Sequence, residues 1–487
     1  MLRRKVISAT IALSGFMALG RGLELVGTLI VARLVAPEAF GIVAAALIVM
    51  QLTASLTELN IYDALIQKLD IMRVDYDTAF TFSVLRGLII SLTMLIAAYP
   101  VALVFGEMEI VPVIAALSLA QLVLSLRSLK LAEYARRVEP AMPALVSFFG
   151  KLVGFVTTVT LAYATGSYWA IVYGLIVGNV IDTVLSYVIA PYFPRFSMKS
   201  ARWLFSFTGW MNLFAITGAG IAQFDRFYLG TRLGEAVLGI YTLATSVASQ
   251  VVWSLAAPIM NALFAGLSSI KDQPERLKSG YLLGQGVIVA IMMPIGAGLA
   301  IISAPLVQLV LGPDWMLAVP IISIVAPATA FHMMSVGAHA LALALGEPKQ
   351  LFLRNLIGLG VSIPLVIIGI LIAGPIGAAW ARAATILVIV FLNLQLAKTL
   401  LGLDVHRQFA NCARSFASCA VMIGVVYGAV ESNLIVSASE PSWIEIAALV
   451  ILGGVAYTAT HAMMWFLAGC PDGIERIVTK AARRVFA

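Results

Sequence analysis

Cysteine is scarce in this chain. There are three, Cys412, Cys419 and Cys470, at spacings that suit neither a disulfide framework nor a zinc site. They read as reduced bystanders. Charge is scarce as well, at 11% of 487 residues, against about 25% in soluble domains. The sequence has no Walker A loop, no Rossmann glycine fingerprint and no metal-spaced His/Cys cluster. These absences argue against ATP hydrolysis by this chain and leave no cofactor or resident metal to expect. No loop is long enough to fold as a catalytic domain. The net charge of +7 is spread through short loops rather than gathered on one face, which argues against nucleic acid as a partner.

What is abundant is apolar surface. Hydrophobic residues make up 61% of the chain and mean hydropathy is +1.00. No soluble core hides that much, so the composition reads as a polytopic, all-α membrane protein. Fourteen apolar segments stand near the length of about 20 residues that crosses a hydrocarbon core of about 30 Å. They run over 7–34, 40–60, 79–104, 109–127, 143–165, 168–190, 205–229, 237–263, 281–303, 318–345, 353–373, 376–397, 411–430 and 443–467. The start, Arg3-Arg4-Lys5 before an apolar run, imitates a secretory signal, but the run continues to Leu34 and reads as an uncleaved first span.

Most of the 31 Lys and Arg fall in alternate loops, and only Arg33 and Arg232 fall in the others, which carry Glu107, Glu109, Asp314, Glu431 and Glu440. Both termini are therefore expected on the cytoplasmic side of the membrane. Segment 127–142 and the tail read as surface helices. In the tail, Ile474, Ile477, Val478, Ala481 and Val485 share a face between Arg476, Lys480, Arg483 and Arg484. That pattern suits anionic lipid at the cytoplasmic face, or only a basic end serving topology.

Two stretches about 200 residues apart echo one another. Arg33-Leu-Val-Ala-Pro-Glu38-Ala-Phe-Gly41 matches Arg232-Leu-Gly-Glu235 through Gly239 with one gap. Tight turns at Gly166-Ser167 and Gly374-Pro375 make two helical hairpins at the same offset. The expected organisation is two six-helix lobes related by an internal repeat, 1–195 and 196–400. Two further helices follow in 401–470, and a basic amphipathic tail in 471–487.

Charges inside the spans are the candidate site residues. A cation facing lipid at mid-helix costs roughly 2.5–3.5 kcal/mol, so such groups face a wet cavity, pair with acids or snorkel outward. Arg21 is the deepest and has Glu24 three residues on, close enough for a local ion pair. With Arg86 or Lys151, either of which could instead snorkel to the cytoplasmic side, it forms the candidate anion site of the first lobe. Arg382 belongs to the second lobe, and Asp225 and Arg226 sit at its outer mouth as candidate gate residues. Asp182 has Asn179 three residues before it and either couples to an ion or proton or locks two helices together. His332 and His339, seven apart on one face, are either packed polar groups or a proton relay. Asp75-Tyr-Asp77 matches the DxD pattern of metal–nucleotide-sugar sites, but its place before a helix, with Thr78 next, favours N-capping.

Several motifs stand in a fixed order: Ala32-Arg33-Leu with Pro37-Glu38-Ala-Phe-Gly41, then Asp77-Thr-Ala-Phe80. Asp225-Arg-Phe-Tyr-Leu-Gly230 with Leu233-Gly234, Leu238-Gly239 and Tyr241 follows, and then Gly312-Pro-Asp-Trp315. In these the chain resembles polysaccharide transporters of the Wzx type, within the superfamily of multidrug, oligosaccharidyl-lipid and polysaccharide exporters. The resemblance implies two lobes around a central cavity that opens alternately to each side. It implies a flippase of polyprenyl-pyrophosphate-linked oligosaccharide for lipopolysaccharide or exopolysaccharide synthesis. Its partners would be the polymerase or glycosyltransferases of the same pathway. Two alternatives stand beside it. One is a same-fold exporter of a peptidoglycan lipid precursor or of drugs by cation coupling. The other is a membrane polysaccharide polymerase or ligase, which should carry catalytic Arg or His on a long outer loop.

Overall fold

A computed structural model of the protein describes residues 2–57, 61–68, 70–137, 139, 141–200, 209–432, 442–470, 473 and 475. All regular structure among them is helical. Eleven of the helices are long and apolar enough to cross a membrane, or twelve if one bent pair is a single span. The chain divides into two compact units, Met1–Thr242 and Leu243–Ala487.

The first unit contains α1 (Leu2–Leu34), α2 (Pro37–Leu56), α3 (Ile61–Gln67), α4 (Arg73–Phe105), α5 (Ile110–Ser125) and α6 (Ala132–Arg136), followed by α7 (Ala141–Thr165), α8 (Trp169–Ile189) and α9 (Gly209–Leu233). Helix α10 (Glu235–Ser269) begins in it. Helices α7 and α8 form the expected hairpin, turning at Gly166, whose φ is 61°. They cross where both lack side chains. A Cβ on Gly154 would stand 2.8 Å from the Gly174 carbonyl oxygen, and one on Gly150 would stand 2.9 Å from that of Gly178. In lipid, where burial gives no drive for helices to associate, such close backbone packing is the main source of helix pairing. Helix α1 packs on α7, α8 on α5, α5 on α4, and α2 on both α5 and α9.

The second unit contains the rest of α10 with α11 (Pro274–Ile301), α12 (Ser303–Val310), α13 (Ala318–Ala344), α14 (Pro348–Leu401), α15 (Val405–Glu431) and α16 (Trp443–Leu467). Helix α14 is 54 residues long only in name, because Ala373 and Gly374 leave helical geometry (φ −135° and 57°). Its halves fold back on each other: a Cβ on Gly377 would stand 1.9 Å from the Gly369 carbonyl oxygen. Arg354 Nε donates to the Leu392 carbonyl at 2.9 Å, across the same turn. Helix α13 packs on α11 and α14, and α15 on α11 and α16.

Several boundaries differ from the sequence reading. Segment 40–60 ends at Leu56, and a short helix, α3, follows it. Segment 127–142 is not one surface helix. It is a 3-10 turn (Leu129–Leu131) and the five residues of α6, bent 53° from α5. Arg136 explains why this piece stays in place. Its guanidinium donates to the carbonyls of Leu65 (3.0 Å), Ile66 and Lys68, the open C-terminal carbonyls of α3. The amphipathic tail lies outside the described residues, apart from Gly473 and Glu475, as do 201–208 and Glu440.

The Asp75-Tyr-Asp77 carboxylates are both engaged by protein. Asp75 accepts from the Met72 N–H at 2.8 Å and from the Lys68 ammonium at 2.6 Å, fixing the start of α4. Asp77 accepts from the Tyr192 hydroxyl and from the Arg195 N–H (2.9 Å), and so pins the strand of chain that leaves α8. Burial, and then the Asp77 carboxylate, push the Tyr192 phenol far above its ordinary range.

Candidate functional site

In the first unit, Arg127 and Lys151 line one small pocket. Helix α1 presents Gly20 to α7, so the stem of Lys151 lies across it; a Cβ there would stand 3.3 Å from Lys151 Cδ. The lysine then reaches one turn along α1, and Nζ pairs with Glu24 Oε1 at 2.8 Å. Neither partner is sequestered, at 43% and 46% side-chain exposure. Glu24, three residues from Arg21, thus makes an ion pair with a neighbouring helix. Arg21, half-buried, stands beside Gly20 on the same helix.

A second ion pair stands at the same pocket. Arg127, just past the end of α5, places Nε 2.9 Å from Asp182 Oδ1 on α8 and donates through Nη2 to Ser147 Oγ at 3.1 Å. This pair is drier, with the side chains 26% and 12% exposed. Asp182 sits where Gly150 leaves room: a Cβ on that glycine would stand 2.9 Å from the Asp182 Cβ. The pocket measures about 370 Å3. Phe16, Met17 and Gly20 of α1, Tyr62 and Ile66 of α3, and Ser147 and Phe148 of α7 line it with Arg127 and Lys151.

The chemistry follows from this pairing. Two cations face the pocket, each held by a carboxylate on a different helix. An anionic group that enters competes with Glu24 for Lys151, the more accessible of the two cations. Arg127 offers a planar fork whose remaining N–H groups suit phosphate oxygens, while Asp182 and Ser147 fix its direction. Sequence reading counted Arg127 among the loop cations and so missed it. The signal was Asp182 itself, since a buried carboxylate needs a cation on a neighbouring helix.

The other candidates lie elsewhere. Arg86 donates to the Ala54 carbonyl at 3.1 Å, at the open C-terminal end of α2. Asp225 is 2% exposed and accepts the Tyr241 hydroxyl at 2.7 Å, which ties α9 to the first turns of α10. Arg226 follows it on α9, its N–H donating to Asp225 Oδ1 at 2.8 Å. In the second unit, His332 stands edge-on to Trp253 with centroids 6.1 Å apart, and Arg382 is near enough to bear on it electrostatically. His339 is on the same helix as His332.

The two echoing motifs meet one another. A Cβ on Gly41 would stand 1.9 Å from the Glu235 carbonyl oxygen, and one on Gly239 would stand 2.1 Å from that of Pro37. The first turns of α2 and α10 thus cross backbone to backbone. Further along, the side chains of Gln51 on α2 and Gln223 on α9 hydrogen-bond each other. Beyond α7, Tyr168 donates to Glu109 at 2.7 Å. Burial and that carboxylate push its phenol up to about 12.

Residues 30–320 match the family described as polysaccharide biosynthesis protein. The chain belongs to that family. The chain is 24% identical over 438 residues to the lipopolysaccharide biosynthesis protein WzxC of Escherichia coli (strain K12), covering 88% of the chain and 83% of WzxC. It is 26% identical to the succinoglycan biosynthesis transport protein ExoT of Rhizobium meliloti (strain 1021), over 63% of the chain and 62% of ExoT. Its fold is similar to that of the lipid II flippase MurJ in an inward closed conformation. The TM-score is 0.74 at 16% identity, over 93% of this chain and 99% of that one. The chain is thus a multi-pass membrane protein of this family, with a fold like that of MurJ.

Proposed function

We propose that the protein is a flippase, not an enzyme, that moves a polyprenyl-pyrophosphate-linked oligosaccharide from the cytoplasmic to the outer leaflet of a bacterial inner membrane. Surface polysaccharide synthesis then uses the cargo outside. The observation that carries this reading is the pocket where Lys151–Glu24 and Arg127–Asp182 converge. A pyrophosphate needs cations that are held but not locked, and one accessible pair beside one more buried pair supplies that. Arg21, next to the lining residue Gly20 on α1, is a further candidate for contact with the cargo. Glu24 and Asp182 keep the pocket neutral when no cargo is bound, so the bundle does not carry two bare cations in the membrane. Similarity to WzxC and ExoT supports the cargo class.

Fourteen spans remain the preferred count. The break in α14 makes two spans of one, and α5 and α9 supply the remaining two beyond the eleven that qualify by length and hydropathy. Two six-helix lobes with two added helices remain the preferred organisation, with both termini cytoplasmic. In this arrangement Asp225 acts as a fixed strut between α9 and α10 rather than as a cargo ligand. The pathway's polymerase or glycosyltransferases would meet the protein at the membrane surface.

The test is genetic and biochemical. A strain lacking the protein should accumulate lipid-linked oligosaccharide on the cytoplasmic leaflet. Wild type should clear it, and Arg127→Ala or Lys151→Ala present at wild-type level should not. Full clearance by both variants would overturn the assignment of this pocket.

A further inference from the structure

The second unit holds a larger pocket that the cargo reading does not use. It measures about 820 Å3 and lies among α10, α11, α15 and α16. Its walls are apolar: Pro294 and Leu299 of α11, Met422 and Val426 of α15, Leu449 and Phe466 of α16. Polar groups gather at one end. Glu475, beyond α16 in the chain, folds back so that Oε1 takes Arg414 Nη1 at 2.9 Å and His461 Nε2 at 3.1 Å. His461 and Glu475 both line the pocket, and each side chain is only 10% exposed.

Their remaining atoms define what fits. Because Nε2 of His461 donates to the carboxylate, Nδ1 of the neutral ring is an acceptor. That atom and Glu475 Oε2 are buried with no hydrogen-bond partner. Two unfilled acceptors beside an Arg–Glu pair whose charges cancel call for N–H donors, and they disfavour another anion. A phosphate-first headgroup would bring its oxygens against Glu475.

We propose that this pocket binds a resident phospholipid with a primary ammonium headgroup, its chains against α11 and α16 and its ammonium on Glu475 and His461. The lipid is a structural ligand of the second unit, separate from the cargo.

The experiment uses the full chain in nanodiscs of equal parts dioleoyl phosphatidylethanolamine, phosphatidylcholine and phosphatidylglycerol. Retained lipids are counted by native mass spectrometry. The choline lipid keeps the positive charge but has no N–H donor, and the glycerol lipid has hydroxyl donors but is anionic. Wild type should retain the ethanolamine lipid about tenfold over the other two, equivalent to ~1.4 kcal/mol. Glu475→Gln should bring the three toward equal retention. A Cβ on Gly454, or on Gly298, meets nothing within 4 Å, and both residues line the pocket. Gly454→Leu and Gly298→Leu should therefore fill the pocket and release the lipid without disturbing the helices. Equal retention of the three lipids by wild type would overturn the proposal. So would retention unchanged in both leucine variants, or a polyprenyl lipid as the species those variants displace from protein taken directly from native membranes. If the leucine variants do not fold, the comparison of wild type with Glu475→Gln decides alone.

Discussion

The two ion pairs of the first unit should separate stability from transport. Asp182→Asn removes the counter-charge of Arg127 and leaves the guanidinium three-quarters buried against a neutral amide. Breaking a fully buried pair by removing one partner costs about 3–5 kcal/mol, and the quarter exposure of Arg127 lowers that to about 2–3 kcal/mol. The Arg127→Gln/Asp182→Asn double variant removes both charges and keeps hydrogen-bonding shape, so most of that loss should return. Lys151→Ala breaks a pair that is nearly half exposed on both sides and should cost less than about 1 kcal/mol. Thermal unfolding of the solubilised protein should therefore rank Lys151→Ala near wild type, the double variant slightly below, and Asp182→Asn clearly lowest. Export should rank differently. Both Lys151→Ala and the stable double variant should export at least about tenfold less, the worth of one lost charge-assisted contact of ~1.4 kcal/mol. If Asp182→Asn unfolds no earlier than Lys151→Ala, the dry pair is not what holds α8 to the end of α5. If the folded double variant exports normally, Arg127 does not serve the cargo.

Further outcomes are as specific. Gly154→Val places a branched side chain where even a Cβ would stand 2.8 Å from the Gly174 carbonyl; little folded protein should survive detergent extraction and size-exclusion chromatography. Arg136→Ala opens the end of α3, and limited proteolysis should cut near 57–70 faster than in wild type. Gly41→Val should separate the crossing of α2 and α10, seen as new labelling of a cysteine placed at Ala236. The Tyr168 phenol is raised in the folded protein, so its contribution to stability is complete below about pH 10 and falls as pH rises toward about 12. In Tyr168→Phe that part of the alkaline loss should disappear from a pH series of unfolding temperatures.

The apolar runs made most of the helices legible. The sequence range 443–467 coincides with α16, and the turns at Gly166 and Gly374 lie where glycine and proline place them. Length and hydropathy report on single helices, however, and the site is built from contacts between them. Glu24 had a plausible neighbour at Arg21, three residues away, yet Lys151 on α7 takes it, because Gly20 leaves room for the lysine stem. Arg127 looked like a loop cation until α8 brought Asp182 beside it, 55 residues further along the chain. Helices α3 and α6 are too short to show any period, and what fixes them is the guanidinium of Arg136. Asp225 was legible as an anomaly but not as a strut, since its partner Tyr241 lies on the next helix.

The central claim is that this chain carries a lipid-linked oligosaccharide across the membrane. The most direct measurement is the leaflet in which that lipid resides in cells lacking the protein, read by its accessibility to an added glycosidase in intact spheroplasts. The account predicts that the lipid accumulates and stays protected, and that it becomes accessible when wild-type protein, but not Lys151→Ala, is restored. Equal accessibility with and without the protein would contradict it.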